Sequence, residues 1–352
     1  MKWTKLLQIL FVWCLGLCMF SCQSPQTMLT SPDGQLSLEF TLDEEGTPIY
    51  CLKRAGKDVL LPSRLGLVLK NAPSLVSGFA FYEKYGVHQV KTGYVGDLLD
   101  GKERHSSQFG VLHYRKVIEA AARHHICIDN HEPVIPTGLQ RTYPNLMTQE
   151  GVRGQEWDAW DADGGNPPSH TTVLPFTRGL AGPMDFTPVT FRFVNDVMPQ
   201  TRVHTTLAKQ LALFVVLYSP LQMASDEIEN YEANPKPFRF ITSCPTDWSK
   251  TVVPEACIGS YVTIARRDKG EGCWYVGSIT GDEARTTSIS LSFLDANRKY
   301  KAVIYRDASE ADYETNPTAI EIEEREVTNA DTLSIWQARS GGTAIQLCPL
   351  EE

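Results

Sequence analysis

The sequence predicts an α/β region with a β-rich region on either side. Near the N-terminus, Leu36–Leu42 alternates strictly between apolar and polar residues, which is the pattern of a half-buried strand. In the middle, Gln108–Arg123 and Thr201–Tyr218 repeat apolar residues at helical spacing. The last third contains short strand-like segments at the spacing of an antiparallel sandwich. Strands that alternate with helices in the middle favour a parallel sheet covered by helices.

The individual elements follow from local patterns. Pro32-Asp33-Gly34 predicts a turn before the first strand, and Ile49–Leu52 continues the N-terminal sheet. The middle region contains four predicted strands, at residues 87–95, 124–130 (with His131 and Glu132 at its end), 151–156 and 172–176. Seven strands are predicted in the last third, at residues 260–265, 274–279, 287–293, 300–305, 319–322, 332–336 and 343–347.

Composition excludes one class of partner. The chain has 352 residues and a formal net charge of -9, with a sequence pI near 5.5. Phosphate binding needs a basic face, so nucleic acid is excluded as a partner. A chain of this length can bury the core of two or more domains.

The first residues have the character of an export signal. Lys2 and Lys5 precede an apolar stretch that ends in Ser21-Cys22, which is similar to a loose lipobox. We therefore predict an exported protein, in the periplasm or at the outer membrane, with a lipid anchor at Cys22. An ordinary cleaved signal is the alternative.

Six cysteines follow the leader, and none has the spacing of a zinc site. Free buried thiols are the predicted state. A disulfide between Cys244 and Cys257, or between Cys257 and Cys273, is the alternative in an oxidising compartment.

The stretch Cys127–Pro188 is rich in carboxylates, guanidiniums and indoles. Such a mixture is typical of a sugar site, where rings stack on aromatic side chains and hydroxyl groups bond to charged ones. No phosphate-binding loop, dinucleotide fingerprint or serine-hydrolase elbow is present.

The segments HEPVIPTGLQRTYPNLMTQEGVRGQEW and HTTVLPFTRGLAGPMDFTP resemble glycoside hydrolase family 97, the calcium-dependent α-glucosidases and α-galactosidases. The resemblance implies an N-terminal β-sandwich, a (β/α)8 barrel of the TIM type and a C-terminal antiparallel β-sandwich. The middle region has only about 150 residues, whereas a complete barrel takes about 250. We therefore expect a partial barrel, and an internal deletion near residues 72–83. The predicted domains are a leader (1–22), an N-terminal sandwich fragment (23–78), the partial barrel (79–238) and the C-terminal sandwich (239–352).

The resemblance also implies catalytic roles. Glycoside hydrolysis needs one carboxylic acid and one carboxylate. Glu156 matches the family's general acid, and Glu132 matches the base of its inverting branch. Gly93 stands where the retaining branch carries an aspartate nucleophile, so inversion is predicted. Inverting enzymes hold the two carboxyl groups about 6.5–9.5 Å apart to admit a water.

Calcium is the predicted cofactor. Glu132, Glu150 and Glu156 match glutamates that bind the ion in the family, and calcium prefers six to eight oxygen ligands. The family takes a further glutamate from the part of the N-terminal domain that has no counterpart here.

Five side chains are candidates for substrate contacts on the same resemblance, and each has a structural alternative. They are His105, His131, Arg141, Tyr143 and Trp157. The two in the RTYPN run fit bracing of the acid loop equally well, and the indole fits burial. The predicted function is an inverting, calcium-dependent α-glucosidase acting on starch-derived oligosaccharides. The alternatives are an α-galactosidase and a truncated, non-catalytic carbohydrate-binding lipoprotein.

Overall fold

The computed structural model describes residues 27–42, 48–64, 75–93, 96, 98–99, 101–131, 134–161 and 164–350. They belong to two compact units, Met1–Pro73 and Ser74–Glu352. The predicted leader at residues 1–22, and residues 72–74 of the predicted junction, lie outside the described residues. No helix in the described part of the chain has the length and apolar character needed to cross a membrane.

The first unit contains a four-stranded antiparallel sheet. Its strands pair in chain order and are β1 (Thr27–Thr30), β2 (Leu36–Leu42), β3 (Pro48–Arg54) and β4 (Lys57–Arg64). The strand predicted from alternation coincides with β2. Ala55 and Gly56 connect β3 to β4 with φ values of 48° and 75°, the backbone of two-residue hairpins whose twist matches that of the paired strands.

The second unit opens with a parallel sheet covered by helices, as predicted. Helix α1 (Leu75–Lys84) precedes β5 (Gln89–Thr92), and a small hairpin of β6 (Leu98–Leu99) and β7 (Glu103–Arg104) follows. Helix α2 (Gln108–Arg123) then connects to β8 (Cys127–Asn130), and β9 (Leu146–Gln149) comes next. Strands β5, β8 and β9 pair in parallel in that order. The other sheets in the described part of the chain are antiparallel.

Hydrophobic burial holds this βα layer together. Phe79 of α1 and Ile118 of α2 are buried against Ile126 and Ile128 at the start of β8. Ser107 caps α2, because its hydroxyl accepts a hydrogen bond of 3.2 Å from the Gly110 amide. This cap fixes where the chain leaves the hairpin and enters the helix.

Two predicted strands of the middle region are wrong. Residues 151–156 lead into a 3-10 helix, Gln155–Ala159, and the third parallel strand is β9 instead. Residues 172–176 lie in α3 (His170–Val173) and in the 3-10 helix Leu174–Phe176. Neither segment pairs as a strand. The Gln155 amide donates instead to the Phe186 carbonyl (2.9 Å), and the Thr172 amide donates to the Ser169 carbonyl (3.1 Å).

Helix α4 (Leu207–Val216) is shorter than the predicted 201–218. Thr206 has an extended backbone, and its side chain accepts a hydrogen bond from the Lys209 amide, so the helix begins after it. The helix lies directly on a sheet of the C-terminal sandwich. A β-carbon built at Gly277 would lie 2.5 Å from the carbonyl oxygen of Ala212, so only glycine permits this contact.

The C-terminal region is the predicted antiparallel sandwich, with one strand more than expected. Two short helices, α5 (Ile228–Glu232) and α6 (Pro235–Ser243), precede it. Its strands are β10 (Trp248–Cys257), β11 (Tyr261–Asp268), β12 (Trp274–Thr280), β13 (Arg285–Ser290), β14 (Tyr300–Asp307), β15 (Ile320–Val327), β16 (Thr332–Gln337) and β17 (Gly342–Pro349).

The eight strands form two sheets around one core. One sheet has the order β10-β11-β12-β17-β14-β15, and the other pairs β13 with β16. Trp274 and Ile304 of the large sheet share a buried core with Ile289 and Ile335 of the small one. A disulfide joins Cys273 to Cys348, so the prediction of free thiols is wrong for these two cysteines. The alternative pairings are wrong as well, since Cys244 and Cys257 are free thiols. Strands β12 and β17 are neighbours, and this pairing brings the two bonded cysteines together.

Lys209 is a fully buried lysine whose amino group joins α4 to three other segments. Its amino group donates hydrogen bonds to the carbonyl oxygens of Pro168 (2.9 Å) and Thr280 (2.8 Å) and to the Ser340 hydroxyl (3.0 Å). Burial lowers the pKa of Lys209 from its ordinary 10.5 to about 7.

This lowered pKa predicts a rise in stability with pH. Between about pH 7 and pH 10 the unfolded chain holds a proton on Lys209 that the folded chain does not, so unfolding becomes less favourable as pH increases. We therefore expect that, in urea unfolding between about pH 7 and pH 10, the free energy of unfolding of the wild type increases with pH relative to that of Lys209→Met. The exposed Lys299, paired with Glu326 at 3.0 Å, provides the control Lys299→Met, which should follow the wild type. The prediction would be contradicted if the free energy of unfolding of all three proteins changed with pH in the same way.

Candidate active site

Polar side chains gather where the three parallel strands end. Lys91 lies on β5, and Asp129 is its register partner on β8. His131 directly follows β8, and Glu150 directly follows β9. Carboxyl ends of parallel strands are the usual place for ligand sites in α/β folds, because neighbouring strands deliver their following residues to one edge.

A fourth segment extends this edge. Met184 forms a parallel bridge with Gln149 of β9, and the next residue is Asp185, whose amide donates to the Gln149 carbonyl (3.1 Å). The carboxylate of Asp185 is buried. It accepts a hydrogen bond of 2.7 Å from His131 Nδ1 and lies 3.0 Å from Lys91 Nζ. Burial raises the pKa of Asp185, but the bond from His131 and the charge of Lys91 outweigh burial and hold the pKa below its ordinary value.

His131 faces two further carboxylates through its other nitrogen. Its Nε2 lies 3.6 Å from Glu156 Oε1 and 3.8 Å from Glu150 Oε1. Burial lowers the pKa of His131, but the hydrogen bond to Asp185 and the charges of the two glutamates together raise it above its ordinary value. The imidazole therefore favours its charged form between three acids.

Glu156 stands on the 3-10 helix that follows Gly154. A β-carbon built at position 154 would lie 3.0 Å from Glu156 Oε2 and 3.2 Å from Glu150 Oε1, so glycine lets both carboxylates approach the backbone. Thr187 donates a hydrogen bond of 3.0 Å to Glu156 Oε1, and Lys91 Nζ lies 3.8 Å from the same oxygen. These contacts fix one oxygen of Glu156.

Arg178 holds the backbone that carries Glu150. This buried guanidinium donates to the carbonyl oxygens of Glu150 (2.8 Å), Gln149 (2.5 Å), Gly182 (3.0 Å) and Pro183 (3.0 Å). Burial lowers its pKa to about 10, which leaves it charged at neutral pH. The end of β9 and the segment before Asp185 are thereby held together.

Asp129 lies beneath the cluster and is fully buried. Burial, and then the negative charge of Asp185, raise the pKa of Asp129 to about 8. Its nearest cation is Lys91, at 3.9 Å. Asp129 and Asp185 thus both lie close to Lys91 in the buried part of the cluster. Glu150 and Glu156 face outward.

The outward side of the cluster is a cleft of about 430 Å³. His131, Glu150, Glu156, Trp157 and Trp160 line it. The two indoles are 40% and 52% exposed and meet edge to face, 6.3 Å apart. Trp157 donates to Asp161 (2.7 Å) and lies under the Arg153 guanidinium, which holds its ring in place. Rigid, exposed indoles beside carboxylates suit a sugar ring.

The donor atoms partly fit a hard cation. Ligand atoms of His131, Glu150 and Glu156 all lie within 4.8 Å of one another. Two carboxylates are the ligand type that calcium prefers, whereas an imidazole nitrogen is not. The third predicted glutamate, Glu132, lies outside the described residues, but it directly follows His131 in the chain. The glutamates of this set therefore fit calcium as ligands, whereas His131 does not.

The structure brings together some of the predicted residues and not others. His131, Glu150, Glu156 and Trp157 share the cleft. His105 does not line it, because its ring contacts the Tyr114 hydroxyl and its Nε2 donates a hydrogen bond to the Gly96 carbonyl (2.8 Å).

The RTYPN run also lies away from the cleft lining. Tyr143 donates to Glu119 on α2 (3.1 Å) and packs on the βα core. Arg141 is exposed on the 3-10 helix Leu139–Arg141. Neither residue is among the described residues that line the cleft, and the bracing alternative fits the hydrogen bond from Tyr143 to Glu119.

Four members of the cluster were not among the predicted site residues, namely Lys91, Asp129, Asp185 and Thr187. The signal that the sequence offers is Asp129, an acid that directly follows the apolar residues 126–128. A single sequence does not show that the strands carrying Lys91 and Asp129 are neighbours.

Carboxylates at the ends of parallel strands, next to exposed indoles, are the groups that enzymes use to cleave glycosidic bonds, and the site is therefore of the kind found in glycoside hydrolases. Sequence profiles agree with this class. The profile described as Glycosyl-hydrolase 97 N-terminal matches residues 29–99, Glycoside hydrolase 97 matches residues 65–152, and Glycosyl-hydrolase 97 C-terminal, oligomerisation, matches residues 247–348. The chain belongs to glycoside hydrolase family 97.

Two groups of relatives are similar to the chain. A retaining alpha-galactosidase of Bacteroides thetaiotaomicron is 33% identical over 64% of this chain. A probable retaining alpha-galactosidase of Streptomyces bingchenggensis is 31% identical over 76% of it. A family 97 enzyme of Pseudoalteromonas sp. strain K8, solved in complex with acarbose and, as a variant, with panose, is 45% identical over 79% of this chain, with a TM-score of 0.73.

The chain is much shorter than these relatives. It spans 34% and 37% of the two galactosidases and 44% of the Pseudoalteromonas enzyme.

Proposed function

We propose that the protein is an inverting, calcium-dependent α-glucosidase that acts on α-linked glucose oligosaccharides. The observation that carries the proposal is the convergence of Glu150 and Glu156 on one cleft with His131 and two exposed indoles. We also propose that the parallel strands β5, β8 and β9 are part of a (β/α)8 barrel. The order of these strands and the α2 connection support this assignment.

Glu156 is the proposed general acid. Its carboxyl group lines the cleft, and Thr187 and Lys91 hold one of its oxygens, which leaves the other oxygen for the leaving group. Glu132 is the proposed base that takes a proton from the attacking water. His131 and Lys91, fixed by Asp185, offer donors to substrate hydroxyl groups from the strand ends.

Inversion is favoured over retention by the carboxylates that reach the cleft. Among the described residues that line it, the acids are Glu150 and Glu156, and no aspartate is present. Gly93 follows β5 with no other atom within 4 Å of a β-carbon built there, so the strand end carries no nucleophile at that position. The α-glucosidase assignment is supported by the higher identity to the enzyme solved with acarbose and panose.

Retaining α-galactosidase activity is the second candidate, because the two curated relatives described above are named as a retaining and a probable retaining α-galactosidase. Hydrolysis of p-nitrophenyl α-glucoside and α-galactoside, with the first-released anomer followed by NMR, separates the two. We expect activity on the glucoside and initial release of β-glucose. Initial release of α-galactose would support the second candidate, and no hydrolysis of either would support a non-catalytic sugar-binding protein.

Calcium removal should abolish most of the activity. Glu132, Glu150 and Glu156 would hold the ion, whose positive charge keeps these acids together and polarises groups beside it. We expect chelation with EDTA to lower kcat/KM by at least about tenfold, an effect of the size seen when metal ligation is disturbed. Added calcium should restore kcat/KM. Unchanged activity after exhaustive chelation would contradict the metal assignment.

A further inference from the structure

A groove lies on the C-terminal sandwich, between α6 and the large sheet. It has a volume of about 470 Å³, which is in the range of small-molecule sites. Lys236 and Arg239 line it from α6, and residues of β14, β15 and β17 line it from the sheet. The described residues that line this groove are all different from those that line the cleft with Glu156. The groove is therefore separate from the candidate active site.

The sheet side of the groove combines an apolar surface with one polar group. Val303 of β14 and Ile322 of β15 are half-buried and pack against the core beneath α4. Tyr305 lies opposite Ile322 in the register of the two strands and is only 3% exposed. Its hydroxyl has no hydrogen-bond partner among the described residues. Buried hydroxyl groups normally have a partner, so this one is available to a ligand in the groove.

The helix side of the groove is positively charged. Lys236 and Arg239 are three residues apart on α6, so their side chains lie on the same face of the helix. Both are exposed, and neither forms an ion pair with any residue in the described part of the chain. Lys301 and Glu324, on the sheet side, neutralise each other at 2.7 Å. The groove is thus locally positive on a chain whose formal net charge is -9, and it attracts anions.

We propose that this groove binds a small organic monocarboxylate whose apolar body lies on the sheet. The guanidinium of Arg239 can hold both carboxylate oxygens, and Lys236 adds a second positive charge. The Tyr305 hydroxyl donates a further hydrogen bond. Val303 and Ile322 contact the apolar body, which an inorganic anion lacks. The site does not depend on the proposed hydrolase function.

The electrostatic environment of the phenol supports this arrangement. Burial raises the pKa of Tyr305, and the positive charge of Arg239 opposes this rise. The guanidinium therefore acts on the same part of the groove that the hydroxyl lines. A carboxylate placed between them contacts both groups.

Isothermal titration calorimetry of the full chain at neutral pH tests the site, with sodium octanoate as the probe. The compound 1-octanol has the same apolar body without the charge, and acetate has the charge without the body. We expect saturable binding of one octanoate per chain. Binding of 1-octanol and of acetate should each be at least about tenfold weaker, because each lacks one of the two recognised features.

Two substitutions distinguish this groove from other surfaces of the protein. Arg239→Gln should weaken octanoate binding about tenfold, the size expected for the loss of a hydrogen bond to a charged group. The matched control is Arg325→Gln on β15. Arg325 pairs with Glu323 at 3.8 Å, and it lies on the opposite face of the strand from Ile322 and Glu324. This control should bind octanoate like the wild type. Both arginines are exposed, so both variants should fold.

Four results would overturn the inference. They are the absence of saturable octanoate binding to the wild type, equal affinity in Arg239→Gln and the wild type, an equal loss of affinity in Arg239→Gln and Arg325→Gln, and binding of 1-octanol or acetate as tight as that of octanoate. None of these measurements involves catalysis, so failure of the proposed hydrolase function leaves the test of the groove intact.

Discussion

Glu156→Gln should lose about a thousandfold of kcat on maltose with calcium at saturation, because general acid catalysis contributes about 10²–10⁴ in rate. The amide keeps the hydrogen bond from Thr187 to the side-chain oxygen, so the fold and the cleft should persist. Steady-state kinetics on two substrates tests the role specifically. Fluoride departs without protonation, and α-glucosyl fluoride should therefore lose much less activity than maltose.

A matched control is Glu326→Gln, at an exposed glutamate that pairs with Lys299 on the sandwich surface. This variant should have wild-type activity on both substrates. An equal loss on maltose and α-glucosyl fluoride in Glu156→Gln would show that the residue does not act as the acid. A thermal midpoint far below that of the wild type would instead point to a structural role.

Asp185→Asn should lower kcat by about 10² to 10⁴, the range found when a buried aspartate that orients a histidine becomes an amide. The carboxylate holds His131 Nδ1 at 2.7 Å and Lys91 Nζ at 3.0 Å. An asparagine presents either an oxygen or an amide group to them, and two cationic neighbours lose their shared counter-charge. The proposed role is positioning, so KM for maltose should change far less than kcat, and the lost kcat should not return at any pH between about 5 and 8.

Asp331→Asn serves as its control, since Asp331 only caps a turn by accepting from the Thr328 amide (2.6 Å). Full activity in Asp185→Asn would remove Asp185, and with it the fixed orientation of His131, from the catalytic machinery. Recovery of kcat at low pH would mean that the aspartate acts through its charge on a titrating group and not through geometry.

Local patterns predicted most of the secondary structure, and local chemistry explains the failures. Strict alternation identified β2, and the seven short strands after residue 260 were recovered as β11 to β17. Strand β10 was missed because Pro254 lies within it, and proline argues against a strand. The structure accommodates this proline where the register with β11 shifts between Val252 and Glu255. The start of α4 was also misplaced for a local reason, since the capping side chain of Thr206 fixes where the helix begins within a longer stretch of apolar periodicity.

The outward half of the site was predictable, and the buried half was not. Glu150, Glu156 and Trp157 lie within one short, polar stretch, so their common role was visible in the sequence. Lys91 and Asp185 approach within 3.0 Å only because β5, β8, β9 and the Met184 bridge are laid side by side. That arrangement depends on long-range pairing, which a single chain does not display.

The packing of α4 on the large sheet determines which fragments of this chain we expect to fold. Gly277 lets the helix lie against β12, and Val262, Ile264 and Tyr275 share its core rather than that of the sandwich. A fragment that begins near residue 239 would lack α4, and the hydrophobic face of the large sheet that packs against this helix would be exposed to water. The C-terminal sandwich and α4 are thus one folding unit, and we expect the smallest fragment that folds independently to begin before Thr206.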